Sequence, residues 1–156
     1  MTILIKRVKD IYGWMGNMSA FPIVEDGLLY KTSEALFQAK RFPLGHPVRE
    51  EIREASSPFS AKLIAKANAE HMTIEQRSEA DLELMRLVLK MKLEQHPELK
   101  QKLAETGDEL IIEDCSNRQS ISGIFWGAAL IDGTWRGDNW LGRLWQEQRE
   151  LLIPNK

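Results

Sequence analysis

The chain contains almost no cysteine, which limits the ways in which its fold can be stabilised. Only Cys115 carries a thiol, so no disulfide can form within the chain. A single thiol is typical of proteins from a reducing compartment, and the sequence therefore predicts a cytoplasmic protein. The sequence also lacks an apolar N-terminal stretch of signal-peptide length and any run of about 18 apolar residues, so no membrane partner is expected.

The chain also lacks an excess of charge of either sign. It has 21 basic and 23 acidic residues and a formal net charge of −2, which counts against non-specific binding to nucleic acid, although a local basic cleft stays compatible with this balance. Hydrophobic residues make up 43% of the sequence and charged residues 28%, as in ordinary globular proteins. With 156 residues, we expect one domain, residues 1–156, that buries a core without disulfides or a structural metal.

The motifs of several enzyme classes are missing too. The three histidines, His46, His71 and His96, are far apart and belong to no zinc-binding pattern, so no metal site is predicted. There is no phosphate-binding loop, no G-x-G-x-x-G turn and no EF-hand loop, which counts against ATP hydrolysis and Rossmann-type NAD binding. A serine hydrolase is unsupported as well, because no G-x-S-x-G motif occurs.

The elements that are present alternate between helices and short strands. Helical periodicity and capping residues predict six helices, at residues 34–42, 48–55, 58–68, 79–95, 97–106 and 140–152. β-rich segments predict four strands, at residues 3–8, 28–31, 109–113 and 124–126. We expect the last two strands to pair. The predicted fold class is α+β, a mainly helical single domain with a small β-sheet.

The first predicted helix carries a stripe of polar residues. At about 100° per residue, Glu34, Gln38 and Arg41 lie along one narrow stripe beside Phe37. Lys40 points roughly 120° away from Glu34 if the helix is regular. This stripe is the candidate for chemistry, because a carboxylate held by neighbouring polar groups can act as a base or stabilise positive charge.

Six segments occur in an order that resembles one known family. They read GNMSAFP, DGLLYKTSEALFQAKRF, SSPFSAKLIAK, LEQHPELKQKLAETGDELIIED, FWGAAL and GDNWLGRLW. From about Trp14 to Arg149 the chain resembles the NADAR family, which includes N-glycosidases acting on riboflavin-pathway intermediates. Two positions depart from the family pattern, because Ala35 stands where a histidine is usual and Arg41 where a lysine is usual.

The resemblance implies an N-glycosidase that hydrolyses the N-glycosidic bond of a ribosylated or ADP-ribosylated substrate. The substrate would be a riboflavin-pathway ribosylamino intermediate or an ADP-ribosylated base, the second of which makes ADP-ribosylated nucleic acid a further partner. No cofactor is implied. Because a guanidinium cannot form a Schiff base with a sugar aldehyde, Arg41 also allows an alternative, a binding module for ADP-ribose or a related nucleotide with weak catalysis. A helical interaction protein is the third alternative.

The resemblance and the polar stripe together select the candidate site residues. The expected catalytic residue is Glu34, with Lys62 as the candidate if a lysine is required. The expected substrate-binding residues are Asn17, Gln38, Arg41, Arg118, Trp126, Gly127, Asn139 and Gly142, and Glu113 and Asp114 border the same polar loop as Arg118.

Most of these candidates also have a structural interpretation. Arg41 could pair with Glu34 instead of clamping a phosphate, and Trp126 could be a core residue. Asn139 is predicted to cap the last helix, where a phosphate could also sit. Gly142 could permit close packing, and Asn17 could stabilise a turn.

Overall fold

The computed structural model describes residues 1–153, and helices account for most of their regular structure. The seven α-helices are α1 (Ser33–Lys40), α2 (Pro47–Arg53), α3 (Pro58–Ala67), α4 (Glu79–Gln95), α5 (Pro97–Glu105), α6 (Ile121–Trp126) and α7 (Trp140–Leu151). The six strands are β1 (Thr2–Ile5), β2 (Ile23–Glu25), β3 (Leu28–Tyr30), β4 (Leu110–Glu113), β5 (Ala129–Ile131) and β6 (Thr134–Arg136). The predicted α+β class, mainly helical with little β-structure, is confirmed.

The strands form three separate two-stranded sheets. β1 pairs with β4 in parallel, with Thr2 opposite Leu110 and Ile5 opposite Glu113. β2 and β3 form one antiparallel hairpin, and β5 and β6 form another. Each hairpin turns through an Asp-Gly pair in the left-handed region, as two-residue hairpin loops require. The predicted single sheet is thus replaced by three small ones.

The predicted strand at residues 124–126 is wrong, and so is its pairing with β4. These residues belong to α6, because the Ser120 hydroxyl accepts a hydrogen bond from the backbone N–H of Gly123 at 3.0 Å and starts a helix there. A run of three apolar residues is too short for its periodicity to distinguish a strand from a helix. The partner of β4 is β1, whose strand ends at Ile5, three residues earlier than predicted.

The described residues form two compact units. The central unit comprises Asn17–Gln95, and the flanking unit comprises Met1–Gly16 together with the chain from His96 onward. In the central unit, α1 packs against α2, α3 and α4 around a buried apolar core. This core includes Leu36, Phe42, Ile52, Ala61, Val88 and Leu89.

The flanking unit is built on the β1–β4 pair, against which α7 packs. Its largest fully buried side chain is Trp145, whose Nε1 donates a hydrogen bond to the Met15 carbonyl at 2.9 Å. The rings of Trp145 and Trp14 meet edge to face at a centroid distance of 5.5 Å. These contacts hold the chain before Gly16 against the last helix.

Candidate active site

The first turn of α1 is attached to the loop that contains Asn17. The Asn17 carbonyl accepts hydrogen bonds from the backbone N–H of Glu34 at 2.9 Å and from the Ser33 hydroxyl at 3.2 Å. The Asn17 side chain accepts a second bond from the same hydroxyl and contacts the sulfur of Met85. Thr32 caps the helix by accepting a bond from Ala35 N–H at 3.1 Å. Glu34 is therefore placed by a helix start that is fixed from two sides.

Glu34 itself is buried, with only 7% of its surface exposed. Its Oε1 accepts a hydrogen bond from Nε2 of Gln38 at 3.0 Å, one helical turn further along α1. Among residues 1–153, no basic nitrogen forms an ion pair with the Glu34 carboxylate, that is, none lies within 4.0 Å of its oxygens. The carboxylate is thus oriented by a neutral amide and is not neutralised by a cation.

Arg41 makes a buried ion pair with Asp81, one of the acidic residues in the first turn of α4. Its Nε and Nη2 donate to the two Asp81 carboxylate oxygens at 2.9 and 2.5 Å, which is a bidentate geometry. Its Nη1 donates to Oε1 of Gln38 at 3.2 Å, and the guanidinium lies 4.3 Å from the Phe37 ring centroid. Glu34, Gln38 and Arg41 are linked along one side of the helix, as the predicted stripe requires. The alternative in which Arg41 pairs with Glu34 is wrong, because the guanidinium group binds Asp81 instead.

Asp81 is the residue of this network that sequence reasoning missed. It is fully buried and also accepts a hydrogen bond from the Arg77 backbone N–H at 2.8 Å. Its own N–H lies 3.3 Å from the Ser78 hydroxyl, so Ser78 and Asp81 form an S-x-x-D signal at the start of α4. That signal predicts a helix start, but it does not reveal a partner 40 residues away on another helix.

The two lysines considered as nucleophiles have different surroundings. Lys40 donates to Oε1 of Glu25 on β2 at 2.7 Å, so it points away from the Glu34 stripe as predicted. Lys62 lies half-buried on α3, in the same unit as Glu34, and the described residues show no hydrogen bond between the two. A role for Lys62 stays a prediction.

A third lysine, Lys92, is more deeply buried than either. Its side chain is fully buried on α4, its Nζ donates to the Ser19 hydroxyl at 3.0 Å, and it lies 5.4 Å from the Phe21 ring centroid. Burial lowers the pKa of Lys92 to about 7, because the interior disfavours the charged form. Lys92 lies three residues after Leu89 and seven after Met85, on the same buried side of α4, and this helical spacing is a sequence signal for its burial.

A cavity of about 210 Å³ lies on another side of α1. It is lined in part by Thr32, Ala35, Ile52, Ser57 and Pro58, and its walls are mostly apolar. Ala35 is the position where the NADAR pattern usually has a histidine, so the substitution places a methyl group at this wall. Glu34 is not among the lining residues, so this cavity does not define the surroundings of the carboxylate.

Asn139 lies in the flanking unit and starts α7 as predicted, but its side chain does not cap that helix. It adopts the left-handed conformation with φ 54°. Its Oδ1 accepts from Glu113 N–H at 2.9 Å, and its Nδ2 donates to the Ile111 carbonyl at 2.8 Å. The capping prediction is corrected, because the amide instead satisfies backbone groups of β4.

The two predicted glycines of the same unit permit close backbone packing. A Cβ at Gly142 would lie 2.1 Å from the Ile111 carbonyl oxygen, and one at Gly127 would lie 2.4 Å from that of Glu113. Both glycines therefore allow other segments to approach β4. This supports the packing interpretation of Gly142, and ligand contacts of either glycine stay predictions.

Trp126 and Arg118 lie on either side of the Ser120 cap. Trp126 ends α6, is half-buried, and meets Phe125 edge to face at a centroid distance of 4.9 Å. Arg118 is exposed in the polar loop before α6. Asp114 bonds to the backbone N–H and hydroxyl of Ser116, and its carboxylate lies 3.5 Å from Lys6, so it holds the loop.

Residues 1–153 contain no group of three or more His, Cys, Asp or Glu side chains arranged to hold a metal ion. Nor does any helix within these residues have the length and apolar character needed to cross a bilayer.

The fold and the Glu34 network define a class, that of α+β proteins with a buried carboxylate held by a neighbouring side-chain amide. Comparison with known proteins gives the particular family. The chain belongs to the NADAR domain family, whose sequence description matches residues 5–153. The resemblance seen in the sequence is thereby confirmed.

Several relatives have names that describe an activity. The N-glycosidases YbiA of Escherichia coli (strain K12) and Shigella boydii are each 36% identical over 147 residues, covering 94% of this chain and 86% of the relative. The N-glycosidase Npun_R5314 of Nostoc punctiforme is 27% identical over 157 residues, covering 97% and 93%.

A solved structure is similar as well. The NMR structure of the E. coli protein YbiA matches this chain with a TM-score of 0.75 and 34% identity, covering 97% of this chain and 86% of that one. At the level of its family, the chain thus stands among hydrolases that act on N-glycosyl bonds.

Proposed function

We propose that this chain hydrolyses the N-glycosidic bond of a small ribosylated or ADP-ribosylated compound, with Glu34 as the catalytic carboxylate. The observation that carries the proposal is the burial of Glu34 together with its orientation by the Gln38 amide. A buried carboxylate that no cation neutralises is suited to a reaction that develops positive charge on a sugar carbon. The names of the relatives support the class of reaction.

The proposed reaction breaks the bond between the anomeric carbon and nitrogen. The bonding electron pair leaves with the nitrogen, which takes up a proton, while the oxygen of water forms a new bond to the carbon and loses a proton. Glu34 stabilises the positive charge on the ribosyl group or accepts the proton of the attacking water. Opposite charges 4 Å apart attract by about 4 kcal/mol at an effective dielectric constant of about 20, which corresponds to a rate factor of about a thousand.

A Schiff-base route through position 41 is not part of this proposal. An arginine cannot act as the amine nucleophile of a Schiff base, and all three guanidinium nitrogens of Arg41 donate hydrogen bonds to Asp81 or Gln38. If the reaction requires a lysine nucleophile, Lys62 is the candidate. Lys62→Ala would then abolish turnover, whereas turnover that survives this change supports a route through water and Glu34 alone.

Arg118 and Trp126 stay predicted substrate-binding residues, one for its charge and the other for its aromatic face. Arg118 is exposed and can bind a phosphate of an ADP-ribosyl group in a bidentate manner. Trp126 is half-buried and can stack on an aromatic base. Changes that affect substrate binding alone should raise KM and leave kcat unchanged, so Arg118→Ala and Trp126→Ala test these two roles.

The decisive experiment measures sugar release from a panel of ribosylated compounds. The panel contains ribosylamino pyrimidines of the riboflavin pathway, ADP-ribosylated guanosine and NAD. We expect release of a free ribosyl sugar from at least one of them, and a loss of about a thousandfold in Glu34→Gln with an unchanged melting temperature. Glu51→Gln is the matched control, because Glu51 is an exposed carboxylate on α2.

The same panel distinguishes the enzyme from a binding module. Ala35 and Arg41 are the departures that favour a module, because they replace the histidine and the lysine usual in the family. Binding of a panel compound by calorimetry, with no sugar released by the unmodified protein, would replace the proposed enzyme by that module.

A further inference from the structure

Four buried side chains form one continuous hydrogen-bonded line in the central unit. Asp81 on α4 holds Arg41, Arg41 donates to Gln38, and Gln38 donates to Glu34. All four are at most 7% exposed. The line ends at Glu34, the proposed catalytic carboxylate. Asp81, at the other end, can therefore affect Glu34 through Arg41 and Gln38.

The polarity of the line is fixed by the chemistry of the guanidinium group. Arginine offers only hydrogen-bond donors, so the group of Gln38 that faces Arg41 must be the amide oxygen. The amide nitrogen then faces Glu34 and donates to it. The opposite amide orientation would place oxygen against the carboxylate and nitrogen against the guanidinium, which leaves both contacts without a complementary partner.

Asp81 decides which carboxylate Arg41 binds. Arg41 directly follows α1 with helical backbone angles and is seven residues from Glu34, about 10 Å along the helix axis, a span that a long arginine and a glutamate on the same stripe can bridge. A buried guanidinium requires a counter-charge, and without Asp81 its Nε and Nη2 would lose both of their acceptors. Glu34, separated from it by the Gln38 amide, is the other carboxylate of the line.

We propose that Asp81 is a positioning residue for the reaction, because it keeps Arg41 away from Glu34 and turns the Gln38 amide towards the Glu34 carboxylate. This inference rests on the proposed function of Glu34. It assigns Asp81 no contact with substrate. It also gives Arg41, the residue in place of the family lysine, a role that depends on Asp81.

The test uses three variants of the full chain, Asp81→Ala, Arg41→Met and the double variant with both changes. In Asp81→Ala the freed Arg41 neutralises Glu34, so we expect kcat to fall about a hundredfold while KM changes less than about threefold. In the double variant the competing cation is gone, so kcat should recover by about tenfold or more relative to Asp81→Ala. Glu83→Ala, an exposed acidic residue on α4, is the control and should retain full activity.

Kinetics are measured per folded molecule, at a temperature where circular dichroism shows every variant to be folded. If Asp81→Ala does not fold, Asp81→Asn, which keeps the shape of the side chain and removes its charge, takes its place in both the single and the double variant. A double variant no more active than the single Asp81 variant, or a single variant with unchanged kcat, would overturn the positioning role.

A second readout separates this inference from the proposed function. The side-chain amide resonance of Gln38 in nitrogen-15 NMR spectra reports its bonding partners and needs no turnover. We expect it to shift in both Asp81→Ala and Glu34→Gln and to stay unchanged in Glu83→Ala. If the unmodified protein cleaves no compound, the proposed function fails, and the absence of the Asp81-dependent shift would then overturn the inference on its own.

Discussion

The central and flanking units use their polar residues in different ways. In the central unit, Glu34, Gln38 and Arg41 bind one another through their side chains and end on Asp81. In the flanking unit, the polar or small residues singled out by the family motif contact backbone, as Asn139 does with β4. A motif residue can therefore belong to the chemistry or to the scaffold, and its partner decides which.

The difference has a physical cause, because side chains on one helix meet in a different way from side chains that contact the backbone of a strand. Residues three and four apart on a helix face each other whatever the rest of the chain does, so a polar stripe becomes a network as soon as the helix forms. A glycine or asparagine that contacts the backbone of a strand, in contrast, depends on a partner that is distant in sequence. Three changes test this contrast, from the largest expected effect to the smallest.

The largest effect on stability is expected in the central unit. Asp81→Ala breaks the buried, bidentate ion pair with Arg41, and we expect the free energy of unfolding to fall by about 3–5 kcal/mol in chemical denaturation. Glu83→Ala removes an exposed partner of Arg86 on the same helix and should cost less than about 0.5 kcal/mol. Equal effects of the two changes would show that the buried pair is no more important for stability than a surface pair.

A slightly smaller effect on stability is expected from a change in the flanking unit. Gly142→Ala places a Cβ 2.1 Å from the Ile111 carbonyl oxygen, so α7 must move away from β4. We expect a loss of about 3 kcal/mol in the free energy of unfolding. Gly133→Ala is the control, because Gly133 has φ 77° with nothing within 4 Å of the new Cβ, and it should cost only about 1 kcal/mol. If Gly142→Ala lost no more free energy of unfolding than Gly133→Ala, the role of Gly142 in packing would be contradicted.

Measured over a single pH unit, the smallest effect is a dependence of stability on pH in the central unit. The pKa of Lys92 is lowered from 10.5 to about 7, so between these values the unfolded chain holds a proton that the folded chain has lost. Stability should rise with pH over this range by up to about 1.4 kcal/mol per unit, and Lys92→Met should remove that rise. Lys90→Met, an exposed change on the same helix, should leave the rise intact. If the free energy of unfolding depended on pH in the same way in Lys92→Met and in the unmodified protein, the lowered pKa of Lys92 would be contradicted.

Local patterns in the sequence predicted six of the seven described α-helices and missed α6, part of which was predicted as a strand. α4 begins and ends at the predicted residues, Glu79 and Gln95, and α3 starts at Pro58 with Ser57 as its cap. The face shared by Glu34, Gln38 and Arg41 also followed from helical spacing alone. These features depend on residues close together in sequence, which is why they could be predicted.

Features that depend on distant residues were missed. The β1–β4 pairing and the Arg41–Asp81 ion pair each join elements far apart in the chain, and neither leaves a local pattern. The three-residue strands β2, β5 and β6 are too short to show alternation. The role of Asn139 was misread for a related reason, because the β4 backbone groups that it binds lie 26 and 28 residues earlier in the sequence.

The parallel pairing of β1 with β4 also bears on the order in which the chain acquires structure during translation. The two strands are separated by about a hundred residues, and closing so long a loop is entropically slow. The segment between them contains the whole central unit, whose helices pack on near neighbours in sequence. A nascent chain emerging from the ribosome can therefore complete the region that contains Glu34 while its first strand still waits for a partner that has not been synthesised.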